Sequence, residues 1–154
     1  MSRFKDPGDL VYSFGDELLV RCPRCGRSAH LSFCTTHERV ATQRFVCEHC
    51  GNSDERTVQG IPPFDHESNW PVPRSLWLQA PCCGHNLWAL NERHLSYLEE
   101  YVSAELRERR QNPKYGWKNQ SLAGRLPRWL TAAKHRDEVL KCIRRIRDEQ
   151  LNAR

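Results

Sequence analysis

The sequence predicts an α+β fold: a small cysteine-bearing β unit and a Trp-bearing β-hairpin, packed on two or three C-terminal helices. Three observations carry this. Two Cys-x-x-Cys-Gly turns, Cys22-Pro23-Arg24-Cys25-Gly26 and Cys47-Glu48-His49-Cys50-Gly51, leave 21 residues between Cys25 and Cys47, in which apolar and polar side chains alternate. Farther on, two Leu/Trp segments flank Pro81-Cys82-Cys83-Gly84. Beyond Asn91 the apolar period changes from two residues to that of a helix.

The 154 residues, with 38% hydrophobic and 28% charged side chains and nine prolines, suit one modest domain or a small domain with an appendage. The predicted division is a loosely ordered start over 1–17, a cysteine-bearing unit over 18–60, a Pro-rich linker over 61–74, and a hairpin with a helical region over 75–154. Asp6-Pro7-Gly8-Asp9 is a turn cluster, so Met1 to Tyr12 has little to bury. Leu18-Leu19-Val20 then runs into the first Cys pair as a short buried strand. Ala29, Leu31 and Phe33, and later Val40, Thr42, Arg44 and Val46, follow the period of a hairpin. A third strand is expected through Arg56-Thr57-Val58. In the linker, Pro62, Pro63, Pro71 and Pro73 exclude a helix and favour an extended path.

Leu76-Trp77-Leu78-Gln79 and His85-Asn86-Leu87-Trp88-Ala89 are expected to pair, with Trp77 and Trp88 buried against the β unit or the first helix. The block between them, Ala80-Pro81-Cys82-Cys83-Gly84, matches the first Cys turn at Pro, at the second Cys and at Gly. It reads as a turn of the same kind that has lost one ligand. Asn91 is a helix N-cap, and Leu95, Leu98, Tyr101/Val102, Ala104 and Leu106 recur at helical spacing from Glu92 to Arg110. Ser121 begins a second helical piece, kinked or restarted at Pro127. A last helix runs from about Arg136 to Leu151, with Val139, Leu140, Ile143 and Ile146 on its apolar side.

The chemistry lies in Cys22, Cys25, Cys47 and Cys50. Each Cys-x-x-Cys-Gly turn presents two thiolates, and the glycine lets backbone N–H groups point at the sulfurs. The 21 intervening residues match two short antiparallel strands and a turn at about 3.4 Å per residue, which folds the second pair back beside the first. This is the pattern of a zinc ribbon holding one structural Zn²⁺. Two disulfides or a redox Cys pair are the alternatives. So small a unit buries little apolar surface, and metal binding on the order of 10 kcal/mol would supply much of its folding free energy.

Cys34, His37, Cys82, Cys83, His85 and His94 could combine into a second metal site. Neighbouring strand residues point to opposite faces, however, and buried thiols are the simpler reading of Cys82, Cys83 and Cys142. No apolar run is long enough for a signal peptide or a membrane span, so a cytoplasmic protein with reduced cysteines is expected.

The net charge of +5 is uneven: residues 1–90 carry nine Lys/Arg against ten Asp/Glu, and residues 91–154 carry fifteen against nine. Four thiolates and a zinc ion add a net −2, which Arg21, Arg24, Arg27 and Arg44 would screen. Candidate nucleic-acid contacts are Arg24 and Arg27 at the ribbon tip and Arg125, Arg128, Lys141, Arg144, Arg145 and Arg147 on the helices. Arg39 and Lys134 extend the same two regions, and Tyr115 and Trp117, beside Lys114 and Lys118, could stack on bases. A solvated helical face with ordinary Glu/Arg pairing accounts for the same charges.

Leu76-Trp77-Leu78, Pro81-Cys82-Cys83-Gly84, Leu87-Trp88-Ala89-x-Asn91-x-x-His94-Leu95-x-x-Leu98, Tyr101-Val102-Ser103-Ala104-x-Leu106-Arg107-Glu108-Arg109 and Ser121-Leu122-Ala123-x-Arg125-Leu126-Pro127-x-Trp129 together resemble a group of small, uncharacterised bacterial zinc-ribbon proteins. Their labels borrow from transcription-factor-IIB type ribbons or the zinc region of replication helicases. The resemblance covers nearly the whole chain after residue 20. It implies a ribbon with a helical region and does not imply an activity.

A closed four-cysteine site has no open position from which to activate water. The sequence supplies no nucleophile with a base and an orienting group, no phosphate-cradling glycine loop and no paired carboxylates. Asp65-His66 invites comparison with nucleases of the His-Asn-His type, but both Cys pairs precede it and its surroundings are Pro-rich. The zinc deaminase pattern is absent as well, since His37-Glu38 are adjacent. The expectation is a non-enzymatic binding protein. Its partner is nucleic acid or the transcription and replication machinery; the alternative is a protein partner, as for an adaptor, antitoxin or immunity protein, docked through the ribbon and through Trp70 and Trp117.

Overall fold

The computed structural model describes residues 3–5, 17–35, 40–59, 76–104, 106–108 and 126–152. The architecture is α+β, as expected: an antiparallel four-stranded sheet, a separate hairpin, a parallel strand pair and C-terminal helices.

Strands β2 (Glu17–Arg21), β3 (Ser28–Thr35), β4 (Val40–Val46) and β5 (Ser53–Gln59) lie in sequence order. Their register places Leu18 opposite Leu31, and Leu31 opposite Phe45. Because strand side chains alternate, this buries Leu18, Val20, Ala29, Leu31, Phe45 and Cys47 on one face and puts Glu17, Ser32 and Arg44 on the other. Leu19 points with the polar set yet is buried.

The outer edge of β2 is not left bare. The Leu19 N–H donates to the Leu90 carbonyl (2.9 Å), the Leu19 carbonyl accepts from the Trp77 N–H (3.0 Å), and Val20 bridges to Leu76. These bonds satisfy an otherwise open strand edge and tie the next hairpin to the sheet.

That hairpin is β6 (Leu78–Cys82) with β7 (His85–Ala89). Its middle block is not a metal-ligand turn lacking one ligand. Pro81 and Cys82 are strand residues paired with Asn86 and His85, and Cys83 and Gly84 alone make the turn, with φ of 52° and 80°. Two successive positive φ values are what a type I′ hairpin requires, and Gly84 suits its place there. Trp88 also departs from expectation. Leu87 and Ala89 take the buried side, so Trp88 faces outward, 42% exposed, in a T-shaped contact with His94 whose ring centroids are 5.8 Å apart. Trp77 is half-buried: its indole N–H donates to the Gln150 carbonyl (2.6 Å) and the Arg21 guanidinium lies 5.2 Å over its ring.

Helix α1 spans Glu92–Ser103. Asn91 caps it as expected, its Oδ1 accepting from the His94 N–H (2.8 Å), while its Nδ2 donates to the Glu17 carbonyl (2.7 Å) and fixes the helix start to the sheet. The expected continuation to Arg110 does not occur. Ala104 is extended, and Leu106–Glu108 form β8, paired in parallel with β1 (Arg3–Lys5). Helical spacing continues past Ser103, but the backbone there pairs with a strand distant in sequence.

Helix α2 (Arg128–Thr131) starts directly after Pro127, whose fixed φ of −66° suits a helix entry. A 3₁₀ turn over Ala133–His135 leads into α3 (Arg136–Ile146), which widens into a π turn over Arg147–Leu151. Leu95, Leu98 and Val102 of α1 meet Val139, Ile143 and Ile146 of α3, together with Leu78 and Leu87 of the hairpin, in one apolar cluster. At about 1.5–3 kcal/mol for each fully buried aliphatic side chain, this cluster is the main apolar contribution outside the cysteine region. Among the described residues, no helix is long and apolar enough to cross a membrane. The Pro-rich stretch 61–74 with Asp65, His66 and Trp70, as well as His37, Arg39, Tyr115, Trp117, Ser121 and Arg125, lies outside the described residues.

Candidate metal centre

The two Cys turns repeat one local structure. In the first, the Gly26 N–H donates to the Cys22 carbonyl (2.8 Å) and the Cys22 N–H donates to the Arg27 carbonyl (2.7 Å). In the second, Gly51 to Cys47 (2.9 Å) and Cys47 to Asn52 (2.8 Å) do the same. Gly26 and Gly51 have φ of 75° and 77°, which a side chain would resist. The first turn connects β2 to β3, the second connects β4 to β5, and the antiparallel β3–β4 pairing brings the two to one end of the sheet.

There the four thiols meet. Cys22 Sγ lies 3.7 Å from Cys50 Sγ, and Cys25 Sγ lies 3.6 Å from Cys47 Sγ. All four sulfurs fall within 4.8 Å of one another. A tetrahedral ion with metal–sulfur bonds of about 2.3 Å needs sulfur–sulfur separations of about 3.8 Å, so the set can close on an ion with small adjustments. The expected cluster of Cys22, Cys25, Cys47 and Cys50 is therefore assembled, and it could bind a metal. Among the described residues no other three His, Cys, Asp or Glu side chains gather tightly enough to hold an ion as they stand.

Burial and hydrogen bonding divide the site. Cys22 and Cys47 are buried, Cys50 is half-buried and Cys25 is exposed. The Arg24 N–H points at Cys22 Sγ (3.4 Å), and the Asn52 amide approaches it at 3.9 Å. Loss of hydration pushes the Cys22 thiol up, but the N–H groups of Cys25 and Arg24 and the thiols of Cys50 and Cys47 outweigh it and bring it down to about 6. At Cys25 the Arg27 N–H acts downward, yet loss of hydration and the thiols of Cys47, Cys50 and Cys22 carry it up to about 11. Without an ion the charge falls on Cys22, and Cys25 beside it is held in its protonated form. A bound cation removes that conflict.

The basic side chains are dispersed. Arg24 and Arg27 are exposed on the first turn, and Arg21 donates to the Gly26 carbonyl (3.2 Å) while covering Trp77. Arg128, Lys134, Lys141, Arg144 and Arg145 are exposed on α2, the 3₁₀ turn and α3. On α3, exposed Asp137 and Glu138 precede Lys141, Arg144 and Arg145, and Asp148 and Glu149 follow in the π turn. Arg147 is turned inward: its guanidinium lies 3.7 Å from Glu92 and from Glu99 and donates to Ser96 Oγ (3.3 Å).

The combinations weighed for a second site with Cys34, His85 or His94 do not form. Cys34 is exposed in β3 opposite Thr42, and His85 stacks on Trp129 with ring centroids 4.8 Å apart. His94 is buried and accepts the Leu90 N–H on Nδ1 (3.1 Å). Gln150 had no sequence signal. Its side-chain amide donates to the Gln79 carbonyl (2.9 Å) and accepts the Gln79 N–H (3.0 Å), so the π turn supplies a short substitute for a strand along β6. No family model matches the chain, and neither a curated protein nor a solved structure matches it.

Proposed function

We propose that this is a non-catalytic zinc-ribbon protein of the group it resembles, in which Cys22, Cys25, Cys47 and Cys50 hold one structural Zn²⁺ and the exposed basic residues bind nucleic acid. The approach of four sulfurs to within 4.8 Å of one another carries the metal part of this reading. Four thiolates fill the coordination of zinc, leaving no position for substrate or water, so the ion organises the fold and performs no reaction. Arg24 and Arg27 stand exposed beside the centre, and Arg128, Lys141, Arg144 and Arg145 offer further phosphate contacts. Arg147 is left out of that surface because Glu92 and Glu99 already engage it.

The test is fluorescence anisotropy of the zinc-loaded chain with labelled single- and double-stranded oligonucleotides at two salt concentrations. Six phosphate contacts predict an affinity loss on the order of a thousandfold for a fourfold rise in salt, and Arg24→Ala with Arg27→Ala should reduce both affinity and salt slope. A second reading, docking of a protein partner, is supported by the exposed indole of Trp88. Absence of binding to any oligonucleotide, together with a salt-insensitive protein complex that Trp88→Ser weakens, would replace the first reading with the second.

A further inference from the structure

Three cysteines outside the four-sulfur centre converge where the β6–β7 turn meets α3. Cys82 ends β6 and is buried, Cys83 is the first turn residue and is half-buried, and Cys142 is buried on α3. Cys83 holds a φ of 52°, a left-handed conformation that residues other than Gly resist and that this turn position usually gives to Asn, Asp or Gly. The strain has a geometric result. Successive residues of a regular strand would point their thiols to opposite faces, whereas Cys83 Sγ lies 3.9 Å from Cys82 Sγ. From the other side, Cys142 Sγ sits 3.7 Å from the Pro81 carbonyl oxygen, beside the peptide that leads into Cys82.

We propose that Cys82, Cys83 and Cys142 form a second, three-thiol site that takes a soft trivalent ion, of which arsenic(III) is representative. Charge selects the class. Three thiolates with a monovalent or divalent ion leave a net −2 or −1 in an apolar interior, while a trivalent ion leaves none. The surroundings favour the uncharged outcome: burial first, then the neighbouring thiols of Cys142 and Cys83, push the Cys82 thiol well above its ordinary range. Binding is a condensation without electron transfer. Arsenous acid exchanges three As–O bonds for three As–S bonds, and each hydroxyl leaves with a thiol proton as water. Cys83 is the entry point because it reaches solvent and Cys82 lies next to it; the three sulfurs do not hold an ion as they stand, so Cys142 must turn from the Pro81 carbonyl to close on the pair.

The experiment is native mass spectrometry of the full chain, its four-cysteine centre loaded with zinc, titrated with sodium arsenite. The expected product carries one arsenic, added with loss of three waters, and keeps its zinc. Cys83→Asn should lose the arsenic adduct while raising the thermal midpoint, because Asn suits the left-handed turn position, and Cys142→Ala should lose the three-bond adduct. That opposite movement of stability and binding separates a site from a packing role. Zinc is counted in the same spectrum, so failure of the zinc reading and failure of this one are seen separately. An unmodified mass, arsenic bound only when zinc leaves, a Cys83→Asn variant that keeps the adduct, or a disulfide formed by peroxide in a chain that ignores arsenite would each overturn the proposal.

Discussion

Replacing His94 with Asn should flatten the acid limb of the stability curve. His94 is 2% exposed at the start of α1, and burial lowers its pKa to about 4 from an ordinary 6.5. Its Nδ1 accepts the Leu90 N–H, a bond that a proton on Nδ1 would break. The folded state therefore prefers neutral imidazole, and between these two pKa values the unfolded chain binds more protons. Stability from this residue is fully present above about pH 6.5 and is lost as pH falls toward 4. The shift of 2.5 units between 6.5 and 4 corresponds to about 3 kcal/mol in total, of which about 2 kcal/mol is gone by pH 5. Asn places an oxygen near the position of Nδ1, so the variant can keep the acceptor while removing the titration. Urea denaturation of both proteins, followed by circular dichroism from about pH 7 to pH 5, should show the wild type losing about 2 kcal/mol more than the variant. Acid release of an ion from the cysteines acts on both proteins alike and cancels in the difference. Parallel pH dependences, within about 0.5 kcal/mol, would refute the assignment of a buried neutral His94.

Three further outcomes follow from the packing. Stripping the metal with a strong chelator, or substituting Cys47→Ser, should abolish amide-exchange protection in β2 to β5, since on the order of 10 kcal/mol of folding free energy is linked to the ion; protection unchanged after verified metal loss would contradict this. Gln150→Leu should cost about 2 kcal/mol in chemical denaturation, because it leaves the Gln79 N–H and carbonyl without the side-chain amide that now pairs both, and a loss below about 0.5 kcal/mol would show that water replaces it without cost. Trp88→Ser should change stability by less than about 1 kcal/mol, whereas Trp77→Phe, which deletes the indole bond to the Gln150 carbonyl, should cost about 1–2 kcal/mol; the reverse order would mean that the hairpin faces had been assigned wrongly.

The features legible in the sequence are those whose cause is local. A Cys-x-x-Cys-Gly turn contains two thiols and the glycine its backbone needs within five residues, so the four-cysteine cluster that could bind a metal was legible from spacing alone. Asn91 ahead of an apolar helical period marks the start of α1 in the same way. The end of α1 was not legible, because Ala104 becomes extended where β8 joins β1, a strand about a hundred residues earlier, and nothing near Ala104 announces that partner. Composition also cannot separate Trp77 from Trp88. Each stands in an apolar segment, and their fates differ because Leu87 and Ala89 take the inner side of β7 while Gln150 meets the Trp77 indole.

The block Ala80-Pro81-Cys82-Cys83-Gly84 shows the division most clearly. Its letters resemble a metal-ligand turn, but pairing of Pro81 with Asn86 and of Cys82 with His85 makes it a two-residue hairpin. By itself the chain determined which residues could serve as ligands, caps and turns, since those depend on chemistry within a few bonds. Tertiary structure alone decided how the remaining thiols, the indoles and the amides meet, because pairing register and helix packing set side-chain direction over distances that local sequence does not encode.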